Sequence, residues 1–340
     1  MTTDFWGHVN YVNAVSIPDL PMPPALWPSN LQIRNMVDQN GSVLVYTHPF
    51  GGMNDKTFES RLADPKVGLI ARGLPIDVLM GQRCMVDILS GSTFDMDYKM
   101  QILERLWNMG FKFGVGGSSD AYVDQAGRLP VGFRTFAMCK SNNFRSIAHA
   151  YREGHTFATN GPLLHFTVND QPVGEIVQLK NPKKVKVNVA AQSWWGLNDL
   201  EIIHDGKVIA KIPAGDKGNS IQSELNVQIE KSGWIYARVW GPSSPELRNV
   251  RDSNQKRQFA MTSPIWFDVH HHPQVIRSED IEYFESWLKA VQKAIPGYRE
   301  KLLPSGEFGT VEELRNHEEN ATTMISEALQ VLDDLSGRSD

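Results

Sequence analysis

The sequence predicts an α/β protein that contains a partial α/β barrel, an antiparallel β-sandwich and a C-terminal helical hairpin. Three observations support this division. Between residues 84 and 115 an apolar strand, an amphipathic helix and a second strand alternate, which is typical of parallel strands joined by crossover helices. Short alternating runs separated by turns fill residues 161–272 and predict a sandwich. Two long helical stripes follow from residue 273.

The predicted barrel covers residues 1–160 and is defined by its apolar strands. Val43–Tyr46 is a continuous apolar run, as expected for a strand that is covered on both faces. Cys84–Leu89 is a second run, and a helix from about Asp95 to Asn108 separates it from the strand Lys112–Val115. This alternation predicts a parallel sheet or a barrel.

A histidine and an aspartate each come shortly after a predicted strand. His48 lies in the segment THPFGG, and Asp120 lies in GGSSDAY. Because α/β barrels build their active sites at the C-terminal ends of the strands, both are candidate metal ligands. The alternative is that His48 is an ordinary loop residue and that Asp120 belongs to an N-cap or an Asx turn.

The predicted sandwich and the segment before it have clear local signals. A helix is predicted from Asn143 to Glu153, with Gly154 as its C-cap. The character of the chain then changes, and Gly161-Pro162 marks the break between helical and alternating patterns. Asp205-Gly206 sits between two alternating runs, as a two-residue hairpin turn does. A separate antiparallel β-domain is therefore expected over residues 161–272.

The predicted helical hairpin covers residues 273–340. Ser278 caps the first helix, and Thr310 with Glu313 forms a capping box ahead of the second. Each helix carries an apolar stripe at helical spacing. The stripes are expected either to dock on the body of the same chain or to form a seam between two copies, which would make the protein a homo-oligomer.

Composition excludes several classes of partner. The 340 residues include 34 basic and 39 acidic side chains, for a net charge of −5, so no basic surface for nucleic acid is expected. No apolar run approaches the ~18 residues of a membrane-spanning helix, and no signal peptide is visible. The cytoplasm is the default compartment, with that of a longer precursor left open. Cys84 and Cys139 are expected to be buried small hydrophobes.

Several segments together resemble one known family. They are GHVNYVN, THPFGG, GSSDAY, RTF, REGHTFATNGPLLHFTVNDQPVGE, SGWIYARVWG and FAMTSPIWFDV. These segments lie between about Trp6 and Val269 and resemble the CehA/McbA-type metallohydrolases of the PHP (polymerase and histidinol phosphatase) superfamily. The resemblance implies a distorted (β/α)7-type barrel and a divalent metal cofactor, Zn, Mn or Fe. It also implies hydrolysis of ester, carbamate or phosphoester bonds.

The resemblance carries three metal ligands over to this sequence. His8 matches the family's Gly-His motif, His48 its His-Pro motif, and Asp120 the aspartate of its Asp-x-His motif. The family's N-terminal His-x-His pair and its Glu have no counterpart, with Asp4 only a weak substitute. Tyr122 stands where the last ligand histidine is expected, and a neutral phenol is a poor metal ligand. The chain is therefore expected to be a truncated or degraded form that binds metal weakly.

Other residues are weaker candidates for the site. Arg134 could pair with an anionic group of a small-molecule substrate, and Tyr122 and His155 are further candidates for substrate binding. Asp87 and Asp95 flank a predicted strand end and could orient metal ligands without touching the metal. A solvated surface position is the alternative for each.

The sequence thus predicts one function and leaves a second open. The first is a metal-dependent hydrolase, in which metal-bound water is the nucleophile. The second is a non-catalytic barrel that acts as a binding or assembly module. The small number of matched ligands favours the second for this chain, whereas the resemblance favours the first for a full-length parent.

Overall fold

The computed structural model describes residues 2–3, 5–14, 26–37, 41–68, 70–90, 95–121, 132–215, 218–243, 257–302 and 310–337. These residues form a mixed α/β structure with several β-sheets and seven helices. Contacts group the chain into two compact units, Met1–Cys84 with Val275–Asp340, and Met85–Gln274. The division predicted at residues 160 and 272 remains a prediction.

The elements are numbered in chain order. The strands are β1 Thr2–Thr3, β2 Gly7–Val12, β3 Val43–Tyr46, β4 Cys84–Ser90, β5 Gly114–Ser118, β6 Arg134–Ala137, β7 Thr156–Thr159, β8 Leu163–Val168, β9 Gln171–Pro172, β10 Ile176–Leu179, β11 Lys183–Gln192, β12 Asp199–His204, β13 Lys207–Pro213, β14 Ser220–Ile229, β15 Gly233–Ser243, β16 Arg257–Thr262 and β17 Ile265–Val269. The helices are α1 Asn30–Val37, α2 Phe58–Ala63, α3 Leu74–Leu79, α4 Met96–Asn108, α5 Phe144–Glu153, α6 Ser278–Leu302 and α7 Val311–Ser336.

In the first unit, β1, β2 and β3 form an antiparallel ladder. All four residues of β3 are buried, as the apolar run VLVY predicts. In the second unit, β4 and β5 pair in parallel, and α4 lies between them in the sequence, as the alternation predicts. A barrel closes only when each strand is paired along both edges. Among the described strands β1 pairs only with β2, and β5 only with β4, so neither unit contains a closed barrel.

The two long helices belong to the first unit, where they pack against one another and α6 packs on α2. Their predicted apolar stripes are buried within the same chain, as shown by Phe284, Leu288 and Leu332, each 0% exposed. The capping box is confirmed, because the Thr310 hydroxyl accepts from the Glu313 N–H at 3.2 Å while the Glu313 carboxylate accepts from the Thr310 N–H at 2.6 Å.

A buried arginine, Arg72, contacts the end of α2, the turn that follows α2, and α6. The Arg72 guanidinium donates to the backbone carbonyls of Leu62, Asp64 and Val67 at 2.7–2.9 Å. The Trp287 indole of α6 donates in turn to the Arg72 carbonyl at 3.2 Å. Burial lowers the pKa of Arg72 to about 10, and the carbonyl partners satisfy donors that would otherwise be costly to bury.

The second unit contains two sheets that share one hydrophobic core. One sheet is antiparallel, in the order β14-β11-β8-β9, and the other follows the order β10-β17-β15-β16-β7-β6, with β12 beside β15 and β13 beside β12. Alternate residues of both sheets are buried together, which is compatible with the predicted sandwich. The second sheet also includes β6 and β7, which join it through β16, so it contains residues from Arg134 onwards. The prediction of a purely antiparallel domain is wrong, because β10 runs parallel to β17.

The predictions for the two cysteines and for membrane-spanning helices can be compared with the structure. Cys84 is buried as expected, but Cys139 is exposed because it lies in the turn region after β6. Among the described residues, no helix combines the length and the apolar composition that are needed to cross a membrane.

Candidate functional site

The first unit brings two of the predicted metal ligands together. His8 is the second residue of β2, and His48 lies two residues beyond the end of β3. The antiparallel register pairs Val9 with Tyr46, and the Thr47 N–H donates to the His8 carbonyl at 3.0 Å. The start of one strand is therefore beside the end of the other, which places the two imidazoles side by side.

The separation of the two histidine nitrogens suits a shared metal ion. His8 Nδ1 lies 3.3 Å from His48 Nε2, and the ring centroids are 4.9 Å apart at an interplanar angle of 67°. Two nitrogens that each bind a tetrahedral Zn²⁺ at about 2.0–2.1 Å are separated by roughly 3.3 Å. Both side chains are partly exposed, so an ion can reach them from solvent.

The backbone around the pair is unusual at both histidines. Gly7, which precedes His8, has φ +109°, and a Cβ at this position would lie 2.5 Å from the Ala71 Cα. Only glycine fits such a close approach. His48 itself has φ +37°, an uncommon conformation for a residue with a side chain. Strain of this kind is often found at functional sites, where the surrounding structure maintains it.

The third predicted ligand, Asp120, belongs to the second unit. It lies two residues beyond the end of β5, just as His48 lies two residues beyond β3, and it too has a positive φ, of 47°. Its side chain is partly buried. The convergence of Asp120 with His8 and His48 remains a prediction.

A buried polar cluster occupies the C-terminal end of the parallel pair in the second unit. Asp87 of β4 is 2% exposed, and the Ser118 hydroxyl donates to its Oδ2. The Ser118 hydroxyl also lies 3.3 Å from that of Ser90. Asp87 Oδ1 is buried and has no hydrogen-bond partner within the described part of the chain. Burial raises the pKa of Asp87 to about 7, against the hydrogen bonds from Ser118 and Ser90 and the charge of Lys99, which lower it.

Lys99 and Asp95 extend this cluster onto α4. Burial lowers the pKa of the Lys99 ammonium to about 8, although the nearby charges of Asp87 and Asp95 raise it. Asp95 is the N-cap of α4 with φ +49°, and partial burial raises the pKa of its carboxyl, while Lys99 lowers it. A buried carboxyl and a buried amine that both titrate near neutral pH are the kind of pair that proton-transfer sites use.

Asp87 and Asp95 were site candidates from the sequence, whereas Ser118, Ser90 and Lys99 were not. The β4–β5 register pairs Ser90 with Ser118 and Asp87 with Gly116, so the cluster depends on pairing between distant segments. The available signal was a serine at the end of each predicted strand, in DILS and GGSS. Small hydroxyl residues at strand ends are too common for that signal to indicate a cluster by itself.

The weaker substrate-binding candidates occupy separate positions. Arg134 is partly buried in β6, and its guanidinium carbon lies 5.9 Å from the centroid of the Phe136 ring. Burial lowers the pKa of Arg134. His155 Nε2 lies 3.0 Å from the Glu175 carboxylate, which gives it an intramolecular partner. Tyr122 lies outside the described residues.

Neither the grouping of potential ligands nor similarity to known proteins identifies a complete metal site. Within the described ranges, no group of three or more His, Cys, Asp or Glu side chains is arranged to hold a metal ion. The histidine pair alone fits two positions of a coordination sphere. Comparison of the chain with models of known protein families, and with curated protein sequences, finds no match.

Proposed function

We propose that the protein is a metal-dependent hydrolase of ester, carbamate or phosphoester bonds, in which His8 and His48 bind a divalent ion such as Zn²⁺, Mn²⁺ or Fe²⁺. The single observation that carries the proposal is the 3.3 Å separation of His8 Nδ1 and His48 Nε2. The resemblance to CehA/McbA-type metallohydrolases is consistent with it, since those motifs contain both histidines. The finer fold hypothesis, a distorted (β/α)7-type barrel followed by a sandwich, belongs to the same proposal.

The chain's own residues suggest how the ion would be held. In the unloaded pair, one imidazole nitrogen carries a proton that the other accepts. Binding an ion requires a lone pair on both nitrogens, so the donating ring must carry its proton on its other nitrogen. Because a protonated imidazolium cannot ligate a metal, affinity should increase with pH until both rings are neutral. When bound, the metal supplies a Lewis acid and a water of lowered pKa. The imidazole of His48, whose φ is positive, lies beside that of His8.

The buried polar cluster around Asp87, with Ser90, Ser118, Lys99 and Asp95, separately supports acid–base chemistry. Among the residues that the structure describes, no group donates to the buried Asp87 Oδ1, and such an atom is costly to bury unless a cation or a donor satisfies it. With a pKa of about 7, the Asp87 carboxyl can hold or release a proton near neutral pH. These properties suit an acid or base, or a group that orients ligands.

A second candidate function is a non-catalytic binding or assembly module. It is favoured by the finding that no group of three or more potential ligands gathers among the described residues. A catalytic zinc normally has three protein ligands and one open position. Two histidines alone would bind metal weakly.

Turnover of a chromogenic aryl ester, with and without added Mn²⁺ or Zn²⁺, tests the hydrolase proposal. We expect slow, metal-stimulated turnover that increases with pH and is lost in His48→Ala. His149→Ala is the matched control, because His149 is an exposed histidine on α5. Metal stimulation that survives in His48→Ala would contradict the role of the histidine pair. The absence of any metal-stimulated turnover would contradict the hydrolase and favour the binding module.

A further inference from the structure

A solvent-open groove of about 520 Å³ lies in the second unit, within the size range of small-ligand sites. Its wall is an aromatic pair, Phe136 of β6 and Phe157 of β7, whose rings are parallel to within 1° with centroids 4.8 Å apart. Phe136 is 38% exposed, and Leu163 beside the groove is 48% exposed. Large apolar side chains grouped in a concave surface are typical of ligand sites.

Strand register explains the floor of the groove. Leu163 of β8 and Ser220 of β14 both pair with Gln192 of β11. Paired residues share a face of a sheet, and all three are exposed, so they form a row on the outer face. The intervening residues, among them Leu164 and Ile221, are buried in the shared core.

A second row of side chains completes the floor. His165 of β8 and Gln222 of β14 both pair with Ala190 of β11. Because neighbouring strands lie about 4.8 Å apart, His165 and Gln222 are separated by roughly 10 Å, with the small Ala190 side chain between them. The short residue in the middle of the row produces a trough between two longer polar side chains.

The chemistry of the lining limits the ligand. Among the lining residues that the structure describes there is no lysine, arginine, aspartate or glutamate, so none of these side chains balances the charge of an ionic ligand. The floor instead presents the amides of Gln192 and Gln222, the Ser220 hydroxyl and the His165 imidazole. Amides and hydroxyls both donate and accept, as is required to bind hydroxyl groups.

We propose that this groove binds a neutral saccharide. A sugar ring has an apolar C–H face that can pack on the Phe136 and Phe157 wall, and hydroxyls that can bond to the polar floor. Polar groups spread over roughly 10 Å of floor suit a short oligosaccharide more than a single small ring. The open side of the groove leaves the ligand's remaining hydroxyls in water. A flat aromatic ligand would leave most of the floor unpaired, which costs affinity.

Calorimetric titration of the full chain with maltotetraose, cellotetraose, xylotetraose and mannotetraose tests this site. EDTA is included, so that the result is independent of the metal hypothesis. We expect at least one of these oligosaccharides to bind, and Phe136→Ala and Gln192→Ala each to weaken that binding about tenfold, a typical loss for truncation of a central contact residue. Val208→Ala is the matched control, since Val208 is an exposed apolar residue of β13 outside the groove.

The outcomes separate the alternatives. Both substituted groove residues are exposed, so the variants are expected to fold, which circular dichroism would verify. The proposal is overturned if none of the oligosaccharides binds at up to about 10 mM, well above a Kd of ~1 mM. It is also overturned if Phe136→Ala and Gln192→Ala leave binding unchanged. Binding of 4-methylbenzamide in place of the oligosaccharides would show that the groove prefers aromatic ligands.

Discussion

Two buried aspartates, one in each compact unit, have the same raised pKa but different hydrogen bonding. Asp77 of the first unit is 1% exposed and accepts from the Tyr46 hydroxyl at 2.5 Å. Asp87 of the second unit is 2% exposed and accepts from Ser118, but no described residue donates to its Oδ1. Burial is the largest cause of the shift in both, and it raises each pKa to about 7.

The difference shows why a pKa shift alone does not identify a functional site. Asp77 belongs to a core in which the neighbouring tyrosine satisfies it, and the simplest role for that pair is structural. Asp87 lies in the middle of β4, with Ser118, Ser90 and Lys99 nearby, and its Oδ1 has no hydrogen-bond partner among the described residues. A buried acceptor without a donor is the feature that calls for a ligand, a proton or a cation.

The largest expected effect is the dependence of the unfolding free energy on pH that Asp77 causes. Because the folded-state pKa of Asp77 lies above its ordinary value of 3.8, the folded state retains a proton that the unfolded chain releases. The contribution of Asp77 to the unfolding free energy is therefore fully present below about pH 4. It declines by about 1.4 kcal/mol per pH unit as the pH rises towards 7. Asp77→Asn should remove this decline, as urea denaturation between pH 4 and pH 8 would measure.

The neutral asparagine can still accept the Tyr46 hydroxyl, so the variant should be near wild type at low pH and more stable than wild type at high pH. Asp55→Asn, an exposed position in the same unit, is the control and should leave the pH profile unchanged. Parallel wild-type and Asp77→Asn profiles would show that Asp77 ionises normally in the folded protein.

A smaller effect should distinguish the second aspartate. The Lys99 charge lowers the pKa of Asp87 against the effect of burial, so Lys99→Met should raise the pKa of Asp87 above about 7. We expect a rise of about one unit, or ~1.4 kcal/mol, in a carbon NMR titration of the aspartate carboxyls. The pKa of Asp77 serves as the internal control. If the Asp87 resonance titrates as in wild type, Lys99 does not act on this cluster.

The features that the sequence predicted correctly depend on local chemistry. The buried strand Val43–Tyr46, the Gly154 cap of α5 and the Thr310 capping box are all determined by residues a few positions apart. His8 was a candidate from a motif resemblance, and His48 from its place after a strand as well; the structure places their rings 4.9 Å apart.

The features that were missed depend on pairing between distant segments. The antiparallel course of β2 and β3 and the attachment of β6 and β7 to the second sheet are decided by long-range strand contacts. Helices α2 and α3 are too short for their periodicity to be read, and Pro75 at the start of α3 also resembles a loop signal. The groove has no motif at all, because its floor arises from side chains of three strands in register.

The central claim is that His8 and His48 bind one metal ion through the nitrogens that lie 3.3 Å apart. A test of this claim needs a control for the exposed run of His270, His271 and His272, which could bind metal adventitiously. A background variant with His270→Ala, His271→Asn and His272→Ala removes that source. Asparagine is chosen for His271 because its φ is +60°, which asparagine tolerates.

X-ray absorption at the zinc edge of the Zn²⁺-loaded background variant tests the claim most directly. The account predicts two imidazole nitrogens at about 2.0–2.1 Å from one zinc ion, and the loss of that signal when His48→Ala is added. A zinc ion with fewer than two imidazole ligands, or a spectrum that His48→Ala leaves unchanged, would contradict the account.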